Sequence, residues 1–224
     1  MPSSPYQHIS KIMDVIYNLN PGSVLDIGSG FGKYGLLCRE YLELWDGRQK
    51  YQEFLRRIDG VEVFGKYITP VHQFVYNNIY SEDITTLVDR LDFRYDLVLL
   101  IDVFEHFDKP TGESLLRKLL QKNNSVLIST PKNPSAQKDA FENKYEIHRA
   151  KWTKPELADC RHTFFIRDRT HRIAYIGNKS SVDKLKRRTF LRRFYFLPGT
   201  QYLARKYVKL RKHKSKVTQT QKAP

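Results

Sequence analysis

The sequence has little cysteine and no long apolar run. Cys38 and Cys160 are far apart in a chain of 224 residues, so two thiols in a reducing compartment are favoured over a disulfide. No C-x-x-C pair or His-rich spacing occurs, so we expect no metal site. The longest apolar runs, Leu97–Ile101 and Val126–Ile128, are too short to cross a membrane. The polar first ten residues do not resemble a secretory signal, and we expect a cytoplasmic protein.

Acidic residues are almost absent from the last part of the chain. Residues 181–224 carry 14 Lys and Arg against one acid, Asp183, whereas residues 1–180 carry 25 against 23. The net charge of +15 therefore belongs to a basic tail. Hydrophobic residues make up 40% of the chain and aromatics 13%, which is enough for a sizeable core. We predict one folded domain over residues 1–180, followed by a tail over residues 181–224.

The tail carries apolar residues at helical spacing among its basic ones. These are Phe190, Phe194 and Leu197, then Leu203, Tyr207 and Leu210. A basic amphipathic stretch such as residues 184–216 can lie peripherally on an anionic membrane surface. The same residues can also follow a nucleic-acid phosphate backbone, with the aromatic rings stacked on bases. A third interpretation is a solvated extension that packs its aromatic side chains on the domain.

Apolar periodicity predicts alternating strands and helices. The predicted helices cover residues 9–19, 33–45, 70–80, 85–91 and 111–120, with a short helix from 154. The predicted strands cover residues 23–27, 58–63, 81–84, 95–101, 125–130, 162–166 and 172–176. This order indicates an α/β fold with a Rossmann-like, doubly wound, seven-stranded sheet. The sheet is expected to be mostly parallel, with one antiparallel strand in a C-terminal hairpin.

A glycine-rich segment, Asp26–Gly32, follows the first strand and opens a helix. Gly28, Gly30 and Gly32 allow a tight turn and a close approach of the backbone to a ligand. Their G-x-G-x-G spacing differs from the G-x-G-x-x-G of dinucleotide-binding domains. Asp26 precedes the first glycine by two residues, where it would repel a pyrophosphate and suit a cationic ammonium or sulfonium group. The segment therefore favours a cationic ligand over a nicotinamide dinucleotide.

Together, these motifs resemble those of class I S-adenosylmethionine-dependent methyltransferases over residues 8–177. The resemblance rests on the glycine segment, Glu62, Asp83-Ile84, Tyr95–His106 and Ser125–Pro131, which occur in the family's order. The resemblance implies S-adenosylmethionine as cofactor, with Glu62 on its ribose hydroxyls and Asp83 on its adenine amino group. The cofactor-binding residues that it implies are Asp26, Gly28, Ser29, Gly30, Gly32, Glu62, Asp83, Ile84 and Asp102. The Glu105-His106 pair is common in the branch similar to ubiquinone-biosynthesis O-methyltransferases.

His106 and His148 are the candidate proton acceptors. Methyl transfer to a hydroxyl needs a base for its proton, and a neutral imidazole suits that role. His106 lies at the carboxyl end of the fourth strand, where open α/β sheets bind ligands. His148 lies in the long polar segment 132–151, which is placed to cover an acceptor. Structural roles for both residues, and catalysis by proximity alone, remain open alternatives.

The sequence thus predicts transfer of a methyl group from S-adenosylmethionine to an oxygen or nitrogen of a small or lipid-linked acceptor. One alternative is an RNA methyltransferase that holds its substrate with the basic tail. The other is a non-catalytic protein that keeps the methyltransferase fold.

Overall fold

The computed structural model describes residues 4–44, 53–135, 141–158 and 161–194 of the chain. The chain divides into two units, Met1–Val182 and Asp183–Pro224. Within the described residues, every helix is too short or too polar to span a bilayer.

A single sheet forms the centre of the first unit. Its strands are β1 (Ser23–Ile27), β2 (Arg57–Val61), β3 (Ile79–Tyr80), β4 (Leu97–Ile101), β5 (Val126–Pro131), β6 (His162–Ile166) and β7 (His171–Gly177). These seven strands of the described chain lie in the order β3-β2-β1-β4-β5-β7-β6. Strand β7 is antiparallel to both β5 and β6, and the other neighbouring pairs are parallel. The predicted fold class is therefore confirmed.

Helices flank the strands in alternation with them. They are α1 (Ile9–Leu19), α2 (Lys33–Arg39), α3 (Pro70–Val75), α4 (Ile84–Arg90), α5 (Lys109–Lys122), α6 (Lys154–Ala158) and α7 (Lys179–Phe194). The start of helix α5 is set by its sequence. The Asp108 carboxylate caps it by accepting from Thr111 N at 2.9 Å, and Pro110 occupies the first turn. Three single turns of 3-10 helix matter for the site: Gly65–Tyr67, Phe104–His106 and Lys144–Glu146.

The core lies around the central strands. All five residues of β1 and all five of β4 are buried, as expected for parallel strands covered on both faces. Leucines of α5 pack against this sheet, and Trp152 joins the same apolar cluster. The rigid centre therefore fixes the carboxyl ends of β1 and β4, where the predicted site residues begin.

Two predicted elements between residues 70 and 84 are wrong. Helix α3 ends at Val75 instead of residue 80, because Tyr76 turns to extended backbone and the chain then pairs Ile79 and Tyr80 with β2. The predicted strand 81–84 does not form. Asp83 instead caps α4, and its carboxylate accepts from Thr85 N at 2.8 Å.

Several other boundaries also differ from the prediction. Helix α2 gives way at Glu40 to a π-helical turn that reaches Leu44, so it does not run as one α-helix to Trp45. Strand β2 ends at Val61, and Glu62 follows it. Trp45, Cys160, most of the polar segment 46–57 and the predicted tail positions from Leu197 onward lie outside the described residues.

Candidate active site

A cavity of about 290 Å³ lies beyond the carboxyl ends of β1, β2 and β4. Nine residues predicted for the site line it: Asp26, Gly28, Ser29, Gly30, Glu62, Asp83, Ile84, Asp102 and His106. Gly32 and His148 do not line the cavity. The fold therefore gathers residues from four separate segments of the sequence at one edge of the sheet.

The glycine turn requires its glycines. Gly28, Gly30 and Gly32 have φ angles of 67°, 55° and 83°, in the left-handed region that other residues rarely adopt. A Cβ on Gly28 would also stand 2.4 Å from Val103 Cγ2. The amides of Gly28 and Ser29 both donate to Val61 O, at 2.8 and 3.1 Å. The turn is thereby fastened to the end of β2.

Glu62 joins the glycine turn to the segment after β2. Its Oε2 accepts from Gly30 N and its Oε1 from Phe64 N, both at 2.9 Å. Burial raises the pKa of Glu62, and these two amide bonds oppose that rise. Each carboxylate oxygen has a second lone pair, so the side chain can still accept from a ligand's hydroxyl groups.

Asp26 is buried at the end of β1 and is held by two donors. Its Oδ2 accepts from Tyr76 Oη at 2.6 Å and from Gly35 N at 3.2 Å. Burial raises the pKa of Asp26 to about 6, against the lowering effect of these two hydrogen bonds. Asp26 is therefore poised to gain from a cationic ligand, which would favour its charged form.

His72, which the sequence analysis did not single out, also holds the glycine turn. Thr69 N donates to its Nδ1 at 3.1 Å, so the other nitrogen, Nε2, carries the proton and donates to Gly30 O at 3.0 Å. Burial lowers the pKa of His72, which keeps the ring neutral. The Thr69–His72 pairing is a capping box of α3, but nothing in its spacing indicates contact with Gly30.

Asp102 has an unusual backbone at the end of β4. Its φ is 54°, which turns the carboxylate toward the cavity edge. Oδ1 accepts from Ser129 Oγ at 3.0 Å and lies 3.5 Å from Nε2 of His171. Oδ2 is buried without a hydrogen-bond partner among the described residues.

Two further buried hydroxyls line the cavity without a hydrogen bond of ordinary length among the described residues: Ser29 Oγ and Tyr34 Oη. The Ser4 side chain lies near Tyr34 Oη. An unpaired buried polar atom costs about 1–3 kcal/mol, so such atoms seldom persist without a purpose. Two hydroxyls beside the Asp102 carboxylate fit a ligand that carries both an anionic and a cationic group, as an amino acid does.

Asn143, Tyr145, Glu146 and Arg149 also line the cavity, together with the turn after β4. His106 Nδ1 lies 3.2 Å from Ile147 O. Because a carbonyl oxygen only accepts, Nδ1 carries the proton and Nε2 keeps its lone pair. Burial lowers the pKa of His106. The adjacent Glu105 is fully enclosed, and burial together with Asp102 raises its pKa to about 8.

The fold and the site together define a class of protein. An acid-flanked glycine turn after β1, an acid after β2 and unpaired polar atoms at the carboxyl edge form the cofactor side of a doubly wound α/β domain. A sequence model described as a methyltransferase domain matches residues 6–172. The chain belongs to this family and is a class I S-adenosylmethionine-dependent methyltransferase. The narrower resemblance to ubiquinone-biosynthesis enzymes stays a prediction.

Solved structures with the same fold are distant in sequence. An O-methyltransferase family protein from Burkholderia thailandensis matches with a TM-score of 0.53 at 11% identity, over 77% of this chain and 56% of that chain. The N-terminal domain of EvdMO1, solved with SAH and D-fucose, gives 0.55 at 14% identity, over 79% and 84%. Monomeric WbdD gives 0.56 at 16% identity, over 79% and 42%. The chain thus spans about half the length of the first and third of these proteins. No curated protein matches the sequence.

Proposed function

We propose that this protein transfers a methyl group from S-adenosylmethionine to an oxygen or nitrogen of a small or lipid-linked acceptor. One observation carries the proposal: the same cavity is lined by the unpaired polar atoms of the cofactor side and by His106. A pocket that only held the cofactor would not need an imidazole with an available lone pair in its lining. The non-catalytic alternative leaves that arrangement unexplained.

The residues of the cavity divide into groups by the part of the cofactor that they suit. Glu62 suits the ribose hydroxyls, and Asp83 with Ile84 suits the adenine. Ser29, Tyr34 and Asp102 suit the carboxylate and ammonium of the methionine part. Bound there, S-adenosylmethionine supplies an electrophilic methyl group on its sulfonium.

His106 is the proposed base for a hydroxyl acceptor. Its Nδ1 donates to Ile147 O, which leaves Nε2 to accept the acceptor's proton as the new bond to the methyl carbon forms. His148 does not line the cavity, so we propose that it supports His106, with 5.1 Å between the ring centroids.

Replacement of His106 by glutamine is expected to lower kcat by about 100-fold, since a positioned base contributes at least that much. The dissociation constant of S-adenosylmethionine should stay unchanged. Transfer of labelled methyl to a panel of hydroxyl, amine, lipid-linked and RNA acceptors measures the effect, and His162→Gln on the exposed end of β6 is the matched control. Full activity of His106→Gln would exclude it as base. Labelling of RNA alone would favour the RNA alternative.

Affinity for S-adenosylmethionine is expected to increase about tenfold between pH 5 and pH 7. The pKa of Asp26 is about 6 without ligand, and a cationic ligand favours its charged form. Below pH 6, Asp26 must therefore release a proton when the ligand binds, which weakens the affinity. Above pH 6, Asp26 is already charged, and its titration no longer changes the affinity. Calorimetry at several pH values measures the slope. Asp26→Asn, which keeps acceptor capacity for Tyr76 and Gly35, should flatten the curve; an unchanged slope in this variant would assign the effect elsewhere.

The role of the basic tail also remains a proposal. Helix α7 extends into it, and Phe190 and Leu191 are about 60% exposed among basic residues. The basic charge of the tail supports peripheral contact of residues 184–216 with an anionic membrane surface. Helix α7 itself has no apolar face, and residues 195–216 lie outside the described chain. RNA binding that falls steeply with salt would favour the nucleic-acid alternative instead. The cytoplasmic location stays a prediction.

A further inference from the structure

Three side chains that can ligate a metal meet at the edge of the cavity. Glu105 and His106 belong to the turn Phe104–His106, and His148 comes from the segment that covers it. One carboxylate oxygen of Glu105 and one ring nitrogen of each histidine all lie within 4.8 Å of one another. The sequence shows no ligand spacing here, because His148 reaches the other two only through the fold.

Both imidazoles are oriented as metal ligands usually are. His106 Nδ1 lies 3.2 Å from Ile147 O, and His148 Nδ1 lies 2.8 Å from Ser135 O. A carbonyl oxygen can only accept a hydrogen bond, so both Nδ1 atoms are protonated. Both Nε2 atoms therefore keep a lone pair that can coordinate a metal ion. Metal-ligating histidines commonly make this second bond to a backbone carbonyl, which fixes the tautomer and the orientation of the ring.

Glu105 adds a second observation at the same place. Its side chain is 1% exposed, and Oε2 has no hydrogen bond of ordinary length among the described residues, although the Thr130 side chain lies near the carboxyl. A carboxyl group buried in this way is neutral, paired or bound to a cation. Its backbone carbonyl is firmly placed, since Arg149 N and Ala150 N both donate to it, at 2.8 and 3.1 Å.

A second histidine cluster in the same unit provides a contrast. His8, Asp168 and His171 also lie within ligating distance of one another. There, however, Lys11 Nζ lies 2.6 Å from Asp168 Oδ2, and His8 Nδ1 lies 3.1 Å from the same oxygen. That carboxylate already has its positive partner, whereas Glu105 forms no ion pair with a residue of the described ranges.

We propose that Glu105, His106 and His148 bind a divalent first-row transition-metal ion. Two imidazoles and one carboxylate suit zinc, manganese or iron better than magnesium or calcium. Three protein ligands leave coordination positions open, and His106 lines the cavity, so the ion stands at the acceptor wall. There it lowers the pKa of a coordinated acceptor hydroxyl. This role, though not the binding itself, rests on the proposed function. With the ion bound, His106 would act as a ligand, and the acceptor hydroxyl, made more acidic by the ion, would give its proton to solvent as the bond to the methyl carbon forms.

Metal binding can be measured without cofactor or acceptor. The untagged full chain, stripped with a chelator, is titrated with Zn²⁺ by calorimetry and with Co²⁺ by visible absorption. We expect one saturable site, Co²⁺ bands typical of low coordination, and a higher Tm in the presence of Zn²⁺. Glu105→Gln and His148→Gln should each weaken binding by about a hundredfold and abolish the rise in Tm. His162→Gln, which removes an exposed histidine, should bind like the wild type.

The two proposals fail separately. Absence of saturable binding by the folded wild type, or binding that Glu105→Gln and His148→Gln leave unchanged, overturns the metal site and leaves methyl transfer standing. Glu105→Gln replaces an unpaired buried carboxyl by a neutral group of the same size, so we expect it to fold; its Tm without metal checks this. Failure of the wild type to bind S-adenosylmethionine would instead contradict the proposed function, whatever the metal result.

Discussion

Replacement of Glu62 by alanine is expected to weaken binding of S-adenosylmethionine by roughly 100- to 10,000-fold. Two hydrogen bonds from ribose hydroxyls to a carboxylate are worth about 1.5–3 kcal/mol each, and every 1.4 kcal/mol is tenfold in affinity. The substitution also removes the acceptors of Gly30 N and Phe64 N, so the glycine turn loses its side-chain link to the segment after β2 and keeps only its backbone bonds to Val61 O. Both effects act on the same face of the cofactor.

Calorimetry on the wild type and on Glu62→Ala measures this effect, with circular dichroism to confirm folding. Glu62→Gln should have an intermediate effect. One carboxylate oxygen, which accepts from a backbone N–H, is replaced by an amide nitrogen that cannot accept, while the other oxygen keeps its hydrogen bond. Glu113→Ala is the matched control, since Glu113 is an exposed acid on α5 outside the cavity. If Glu62→Ala binds the cofactor as tightly as the wild type, the ribose role of Glu62 is wrong.

Replacement of Trp152 by alanine is expected to lower the free energy of unfolding by about 3–5 kcal/mol. The side chain is 1% exposed, and its Nε1 donates to Phe104 O at 2.8 Å. Its ring centroid lies 4.3 Å from that of Phe104, and a Cβ on Gly112 would stand 2.4 Å from Trp152 Cζ2. The indole thus fills the space between the turn that carries His106 and helix α5, and its loss leaves a large cavity.

Urea denaturation followed by far-ultraviolet circular dichroism measures the change without relying on tryptophan fluorescence. Trp152→Phe keeps most of the packing and loses the indole hydrogen bond, so we expect a smaller loss of about 1–2 kcal/mol. Tyr17→Ala, at an exposed position on α1, should stay within about 0.5 kcal/mol of the wild type. A loss below 1 kcal/mol for Trp152→Ala would show that the turn after β4 is held by other contacts.

The sequence predicts the parts of the site that are contiguous in the chain. The glycine turn combines strand, acid and glycines within a few residues. Glu62 and Asp102 follow at strand ends that apolar runs indicate, whereas Asp83 caps α4. These residues do line one cavity. Their individual roles stay predictions until the binding measurements are made.

The contacts that hold the site could not be predicted, because they join distant segments. Tyr76 donates to Asp26 and His72 donates to Gly30 O, both from the region of α3. Apolar periodicity extended this helix past Tyr76, whereas the fold ends it at Val75 and packs Tyr76 against Gly35 and Gly60. A period of 3.6 residues describes one face of a helix and carries no information on such packing. For the same reason, the sequence does not indicate that His148 approaches Glu105.

The hairpin between β6 and β7 shows where this domain would resist insertion. Hairpin turns usually tolerate added residues, but Asp168 accepts here from Thr170 N and His171 N, both at 2.9 Å, and holds Lys11 of α1. Because β7 runs antiparallel, its first residue, His171, lies opposite Pro131 and reaches Asp102 at the cofactor edge. A peptide inserted into this turn would therefore disturb the start of β7, whose first residue contacts the active site. Grafted epitopes or fused domains belong elsewhere on the chain.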